Sequence, residues 1–207
     1  MNYLKDPAAI YARSFAIIRE EADLSSVPKD AHNIAVRIIH SCGMPEIVSE
    51  LVIANDFVTY AKQALANKRP IFVDVEMVRH GIIARQLPVG VEIICTLNDM
   101  RARDIGIAKS ITRTAAATAL WKDNLKGAIV VIGNAPTALF AVLEMIDAGA
   151  DKPACIVGMP VGFVGAAESK AELVANSRGI AYATIKGRKG GSAMASSVIN
   201  ALTSDMQ

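Results

Sequence analysis

From residue 70 onwards, short apolar and β-branched runs alternate with segments of helical periodicity. The five runs are Ile71–Val75, Val91–Thr96, Ala128–Ile132, Cys155–Val157 and Tyr182–Ile185. Several are apolar throughout, as is typical of central strands covered on both faces, and the helices between them supply the crossovers that parallel strands need. The pattern predicts a three-layer α/β/α fold with a doubly wound, parallel, five-stranded sheet.

The first third of the chain has helical periodicity instead. Asp6 followed by Pro7 is typical of a helix N-cap with proline at the first helical position. In the helix that follows, one face is apolar except for Ser14, which lies between Ile10 and Ile17. Ser14 is therefore a single polar side chain within an otherwise apolar stripe.

A second helix is predicted from Pro28 to about Cys42, with Gly43 as its C-terminal stop. A further helical stretch follows Pro45, and another helix begins after a cap at Asn55 or Asp56. The chain therefore enters its predicted sheet only after a mostly helical segment.

In doubly wound sheets, ligands bind beyond the carboxyl ends of the strands. The turns after Val75, Ile132, Val157 and Ile185 are therefore the places where function is expected. These turns are rich in glycine and proline, and the last of them contains two cationic side chains. No internal repeat is present.

Composition narrows the classes of function. The 207 residues fit a single domain, and the net charge is +2 without a basic run, which argues against nucleic-acid binding. The longest uncharged stretch, 127–143, is shorter than the ~18 apolar residues that a membrane span needs. No secretory signal pattern opens the chain, so a cytoplasmic protein is expected. The three cysteines are widely spaced, which predicts reduced thiols, and the three histidines share no ligand spacing, so no metal site is predicted.

His40 lies near the C-terminal end of the second predicted helix, almost opposite its core stripe, and shares a face with Val36. A histidine in a last helical turn is most often solvent-exposed and favoured there by the helix dipole. The face that carries Val36 and His40 is nevertheless more apolar than is usual for a helix face in solvent, which suggests contact with a ligand or partner. The imidazolium form favoured at this position suits a general acid.

The segment Gly187–Ser192 leads from the last strand into the last helix. Its glycines allow backbone N–H groups to approach an anion at a helix N-terminus, and Arg188 and Lys189 add positive charge. A flexible exposed turn is the alternative. Neither G-x-x-x-x-G-K-[ST] nor G-x-G-x-x-G occurs, which weakens a phosphate-binding function and leaves carboxylates as the better candidate.

Arg113 lies in the predicted first turn of an alanine-rich helix, where the helix dipole disfavours a cation. A guanidinium placed there can serve a bound carboxylate, although a plain surface arginine is the more frequent case. Asn134, with Pro136 and Thr137, is typical of a strand end, a rigid turn and a helix start. No G-x-S-x-G elbow supports a serine hydrolase.

Together these stretches resemble the precorrin-8X methylmutase family of cobalamin biosynthesis. The matching segments are RSFAII at 13–18 with Glu21, VRIIH at 36–40, DVEMV at 74–78, TR at 112–113 with the alanines after it, IGNAPTALF at 132–140, PVGFVGAAESK at 160–170 and GRKGGSA at 187–193. They run nearly end to end in the same order, and the ordered set is highly specific. Thr114 stands where relatives often carry serine.

The resemblance implies a homodimer with a flavodoxin-like sheet, an isomerase that moves a methyl group on ring C of precorrin-8X to yield hydrogenobyrinate. No cofactor is implied. His40 matches the catalytic histidine, which protonates the tetrapyrrole, and Ser14 and Arg113 match positions associated with the substrate. Asn134, Gly191 and Ser192, in matching turns, are expected to bind the substrate too. A cobalt-containing substrate, a non-catalytic tetrapyrrole carrier and a nucleotide-dependent transferase remain alternatives.

Overall fold

A computed structural model describes residues 1, 3–54 and 56–204 of the chain. Within them a six-stranded sheet forms in the order β1-β6-β5-β4-β2-β3. The strands are β1 (Leu51–Ile53), β2 (Ile71–Val73), β3 (Ile93–Cys95), β4 (Ile129–Ile132), β5 (Cys155–Gly158) and β6 (Ala181–Ile185). The five strands from β2 to β6 are mutually parallel, and β1 runs antiparallel to β6.

The predicted count of five strands, all parallel, is wrong by one strand. The sequence predicts a further helical stretch after Pro45. The structure has a short 3-10 segment there, Pro45–Glu50, and the three-residue strand β1 follows it directly. Leu51 pairs with Ile185, more than a hundred positions further along the chain. Three residues are too short to show either periodicity, so only the exposed edge of β6 determines that this segment is a strand.

Helices cover both faces of the sheet. They are α1 (Pro7–Glu21), α2 (His32–Cys42), α3 (Phe57–Ala66), α4 (Glu76–Gly81), α5 (Met100–Lys109), α6 (Arg113–Thr118), α7 (Pro136–Asp147), α8 (Ala166–Ala175) and α9 (Ser192–Ser204). Single-turn or two-turn 3-10 segments occur at Lys29–Ala31, Pro45–Glu50, Ala84–Gln86 and Ala119–Asn124. No helix in this part of the chain is both long and apolar enough to cross a membrane.

The strand residues alternate between two hydrophobic cores, because successive side chains of a strand point to opposite faces. Ile129 and Val131 pack with α2 and α9 in one core, whereas Val130 and Ile132 pack with α7 and Trp121 in the other. All of these strand side chains are buried. The apolar runs of the sequence therefore reflect burial on both sides.

Two helix ends predicted in the N-terminal segment are confirmed, the start of α1 and the end of α2. The start of α2 is not, because this helix begins at His32, after the 3-10 turn Lys29–Ala31, and not at Pro28. The Asp6 carboxylate accepts a hydrogen bond from the Ala9 N–H at 2.7 Å, and Pro7 is the first residue of α1. Gly43 ends α2 in the left-handed conformation with φ 69°. Asp56 precedes α3, but its side chain makes no capping hydrogen bond, and the alternative cap Asn55 lies outside the described residues.

Candidate functional site

His40 is exposed near the C-terminal end of α2 and is held by side chains of α1. Its Nδ1 atom lies 2.9 Å from the Ser14 hydroxyl oxygen. The imidazole ring packs beside two aromatic rings, with centroid distances of 5.4 Å to Tyr11 and 5.3 Å to Phe15. Because Nδ1 is engaged by Ser14, Nε2 is the ring nitrogen left to reach a ligand.

The apolar surroundings of His40 come from α1. The sequence placed Val36 on the same outward face as His40 and suggested a ligand or partner as the second contact. Val36 is instead 1% exposed within the hydrophobic core, so it does not share the exposure of His40. An α-helix of the same chain, α1, supplies the contact to the imidazole.

Tyr11 and Phe15 are components of this cluster that sequence reasoning missed. They flank Ser14 at helical spacing, and the Tyr11, Ser14, Phe15 and Ile18 positions form one stripe along α1, which is the signal that could have found them. The Phe15 ring also lies 5.7 Å from the Arg37 guanidinium carbon. Stacking against two rings and one hydrogen bond restricts the orientation of the imidazole.

A pocket of about 210 Å³ opens beside His40. Its lining consists of Ser14, Ile17, Ile18, Glu21, Ile39, His40, Gly43 and Pro45. Ligand sites usually enclose about 300–1,000 Å³. The pocket on one chain is therefore too small for a macrocycle and can receive only one edge of it.

Asp74 organises a second region, at the carboxyl ends of β2 and β4. Its carboxylate is 1% exposed and accepts hydrogen bonds from three consecutive N–H groups, those of Gly133 (3.0 Å), Asn134 (2.9 Å) and Ala135 (2.8 Å). Burial raises the pKa of the Asp74 carboxyl, and the three backbone hydrogen bonds oppose that rise. In parallel α/β sheets this kind of turn is where phosphates bind. Here the protein's own carboxylate occupies the position, which argues against the nucleotide-dependent transferase.

Arg113 is the first residue of α6 and is exposed, as the sequence predicted. The cap before it, Thr112, lies 2.7 Å from the Thr137 hydroxyl at the start of α7, and Thr114 lies 3.3 Å from the same hydroxyl. This threonine cluster joins the first turns of α6 and α7. It fixes Arg113 beside the turn that contains Asn134, whose side chain is half-buried.

Gly191 and Ser192 lie where β6 passes into α9. The Gly191 N–H donates to the Met159 carbonyl oxygen at 2.9 Å. A side chain on Gly133 would come within 3.0 Å of the Ser192 Cα, so the turn after β4 packs directly against the start of α9. The Ser192 hydroxyl oxygen is shielded and has no hydrogen-bond partner within the described residues.

The candidate residues thus form two groups. One contains Ser14 and His40; the other lies at the carboxyl edge of the sheet and contains Arg113, Asn134, Gly191 and Ser192. Within residues 3–54 and 56–204, no hydrogen bond, ion pair or ring contact joins the two groups directly. Burial raises the pKa of the Cys42 thiol, two residues beyond His40, and a hydrogen bond from the Met44 backbone opposes that rise.

Another groove lies between α7 and α8 and encloses about 630 Å³. Its lining consists of Phe140, Leu143, Glu144, Glu168, Ala171, Glu172, Ala175 and Arg178. Arg178 is already paired with Asp147 at 2.7 Å and with Glu172 at 2.7 Å. The groove therefore presents carboxylates to its contents and would repel an acidic ligand.

Comparison with known proteins identifies the family. Residues 9–205 match the precorrin-8X methylmutase family. The chain belongs to this family. A precorrin-8X methylmutase of a Sinorhizobium species is 52% identical over 97% of this chain and 96% of its own length. The enzyme of the same name from Pseudomonas aeruginosa is 47% identical over the full length of both chains.

A solved structure and a more distant relative support the same family assignment. A crystal structure described as precorrin-8X methylmutase from Thermus thermophilus superposes with a TM-score of 0.86, at 32% identity over 95% of both chains. A cobalt-precorrin-8 methylmutase of Methanocaldococcus jannaschii is 37% identical over 82% of this chain and 77% of its own length. The family resemblance seen in the sequence is confirmed.

Proposed function

We propose that this protein moves a methyl group between adjacent carbons of ring C of precorrin-8X and so forms hydrogenobyrinate. Family membership makes it a methylmutase, an isomerase of cobalamin biosynthesis. The observation that carries the choice of substrate is the end-to-end identity of 47–52% with relatives named for precorrin-8X. Relatives named for the cobalt-containing substrate are 31–37% identical.

In this proposal His40 is the catalytic acid. Its Nε2 donates a proton to the tetrapyrrole and draws electron density from the conjugated ring, so that the methyl group leaves one carbon of ring C and bonds to its neighbour. Because the reaction is an isomerisation, the substrate releases one proton for the one it received, and the imidazole takes it up. Ser14 holds Nδ1 at 2.9 Å, and the Tyr11 and Phe15 rings limit rotation of the imidazole.

The residues at the carboxyl edge bind the periphery of the substrate. The exposed Arg113 guanidinium pairs with a carboxylate, and the Asn134 amide, free of hydrogen bonds in the described structure, adds a neutral contact. The Gly191 N–H is already donated to Met159, and the Ser192 hydroxyl is shielded. Gly191 therefore contributes an open surface without a side chain. Ser192 contributes the N-terminus of α9, which favours a negatively charged group.

The proposal includes a single-domain homodimer in the cytoplasm that works without a cofactor. The order of the five parallel strands, β3-β2-β4-β5-β6, corresponds to 2-1-3-4-5 and supports a flavodoxin-like classification. The His40 pocket of about 210 Å³ supports the dimer, since a macrocycle needs a further wall. The tetrapyrrole supplies the reactive electrons, so the protein needs to supply only orientation and one proton.

The direct test is to mix the purified protein with precorrin-8X and record the visible spectrum. Methyl migration changes the conjugated path, so we expect the spectrum to change with turnover and to match that of hydrogenobyrinate at the end. A spectrum that shifts only in proportion to bound ligand, without turnover, would support the tetrapyrrole carrier. Cobalt-precorrin-8, assayed in parallel, should be converted with a lower kcat/KM.

Arg113→Glu should weaken tetrapyrrole binding. Loss of a charge-assisted hydrogen bond costs about 1.5–3 kcal/mol, which corresponds to roughly a 10- to 150-fold higher Kd. The Kd for hydrogenobyrinate is measured by fluorescence or absorbance titration. Lys126→Glu is the matched control, because Lys126 is exposed just before β4, at the opposite edge of the sheet. An unchanged Kd in Arg113→Glu would show that no substrate carboxylate lies there.

A further inference from the structure

The turn after β5 (residues 159–165) and the turn after β6 (residues 186–191) are joined by backbone hydrogen bonds. The Gly162 N–H donates to the Arg188 carbonyl oxygen at 3.2 Å, and the Gly191 N–H donates to the Met159 carbonyl oxygen at 2.9 Å. A Cβ atom on Gly190 would lie 2.5 Å from the Met159 carbonyl oxygen, so only glycine permits this approach. We call this unit the paired turns.

A buried lysine anchors the paired turns from inside the protein. Lys170 of α8 is 0% exposed, and its ammonium donates to the Lys189 carbonyl oxygen at 2.6 Å. Burial lowers the pKa of Lys170 to about 8. Burying a cationic side chain with one hydrogen-bond partner is unfavourable unless the position of that partner matters. The main effect of Lys170 is to hold the turn after β6 in place.

The paired turns display apolar side chains to solvent. Phe163 is 84% exposed, Val164 is 89% exposed and the neighbouring Val161 is 43% exposed. The Arg188 guanidinium carbon lies 5.2 Å from the centre of the Phe163 ring. Large apolar side chains grouped on an ordered surface typically mark a binding site. An apolar ring beside a cation suits a ligand with an apolar face and negatively charged edges.

The location agrees with the proposed site. The paired turns contain Gly191 and end where α9 begins. Phe163 and Arg188 therefore lie at the carboxyl edge of the sheet, beside the Gly191 and Ser192 positions of the proposed binding site.

We propose that Phe163 and Arg188 contact the substrate as a pair, with the ring against the apolar face of the tetrapyrrole and the guanidinium on a peripheral carboxylate, and that Lys170 is their positioning residue. This inference rests on the proposed function. Neither side chain takes part in bond making, so both act on binding. Their removal should raise KM and leave kcat nearly unchanged.

The test compares Phe163→Ala, Arg188→Gln and Lys170→Met with two controls. Tyr60→Ala and Lys126→Gln serve as controls, because Tyr60 lines a groove with Gly127 and Ala154, which precede β4 and β5 at the opposite edge. We expect KM for precorrin-8X and Kd for hydrogenobyrinate to rise at least tenfold in Phe163→Ala and Arg188→Gln. The value of kcat should stay within threefold, and the controls should match the unaltered protein.

Lys170→Met separates positioning from stability. Removing the buried ammonium relieves its desolvation cost, which offsets the loss of its hydrogen bond to the Lys189 carbonyl, so the unfolding temperature should change little, whereas KM should still rise about as much as in Arg188→Gln. A rise in KM that tracks a fall in unfolding temperature would make Lys170 merely structural and would overturn its assigned role.

Two other outcomes would overturn the assignment of the pair. One is an unchanged KM and Kd in both Phe163→Ala and Arg188→Gln. The other is a loss of oligomeric mass in these variants by light scattering, which would assign the exposed apolar surface to a contact between copies of the chain. If the unaltered protein converts no precorrin-8X, the proposed function fails, yet the hydrogenobyrinate titrations still decide whether the pair binds a tetrapyrrole.

Discussion

His40→Ala should lower kcat for precorrin-8X by at least about 10²-fold and leave tetrapyrrole binding largely intact. Proton transfer from a positioned side chain contributes about 10²–10⁴-fold to a rate. Among the side chains that line the His40 pocket, Glu21 is the other ionisable one. Conversion is followed by visible absorbance, and Kd for hydrogenobyrinate is measured by titration. Ser14→Ala should lower kcat less, because Ser14 orients the imidazole through Nδ1 without donating the proton to the substrate.

His80→Ala is the matched control for that experiment. The His80 side chain is 81% exposed on α4 and lies 3.8 Å from the Glu76 carboxylate, away from the α1–α2 contact. Its kcat and Kd should equal those of the unaltered protein. A His40→Ala variant that turns over at the unaltered rate would exclude the acid function, and one that no longer binds hydrogenobyrinate would make His40 a binding residue.

Asp74→Ala should lower the free energy of unfolding by at least about 3 kcal/mol. The substitution leaves three backbone N–H groups in the turn after β4 without their acceptor, and each buried unsatisfied donor costs about 1–3 kcal/mol. Such a loss is a large part of the ~5–15 kcal/mol that stabilises a typical domain. The free energy of unfolding of Asp74→Asn should lie between the values for Asp74→Ala and the unaltered protein, because one amide oxygen still accepts while the amide NH₂ faces the N–H groups.

Urea unfolding measures the change as a lower midpoint at an unchanged slope. Asp151→Ala is the control, because the Asp151 side chain is 61% exposed and its distance to the Lys126 ammonium is 4.0 Å. It should change the free energy of unfolding by less than about 0.5 kcal/mol. A loss below 1 kcal/mol in Asp74→Ala would contradict the view that this carboxylate holds the edge of the sheet together.

Local features could be predicted from the sequence because their causes lie within a few residues. The Asp6–Pro7 start of α1, the Gly43 end of α2 and the five apolar strands all follow from side-chain periodicity, capping and backbone geometry. The positions of Arg113 at a helix start and of His40 near a helix end could also be predicted from their neighbouring residues. The ordered motifs that match the methylmutase family are also a property of the sequence alone.

Contacts between distant segments depended on the tertiary structure. Strand β1 exists because the edge of β6 is open, Val36 is buried because the hydrophobic core encloses it, and Asp74 is a backbone acceptor because β2 and β4 are neighbours. The contact between the Phe15 ring and His40 joins positions 25 residues apart, and the hydrogen bond from Lys170 to Lys189 joins positions 19 residues apart. Periodicity shows which face of an element is apolar. Only the packing of all the elements together determines what covers that face.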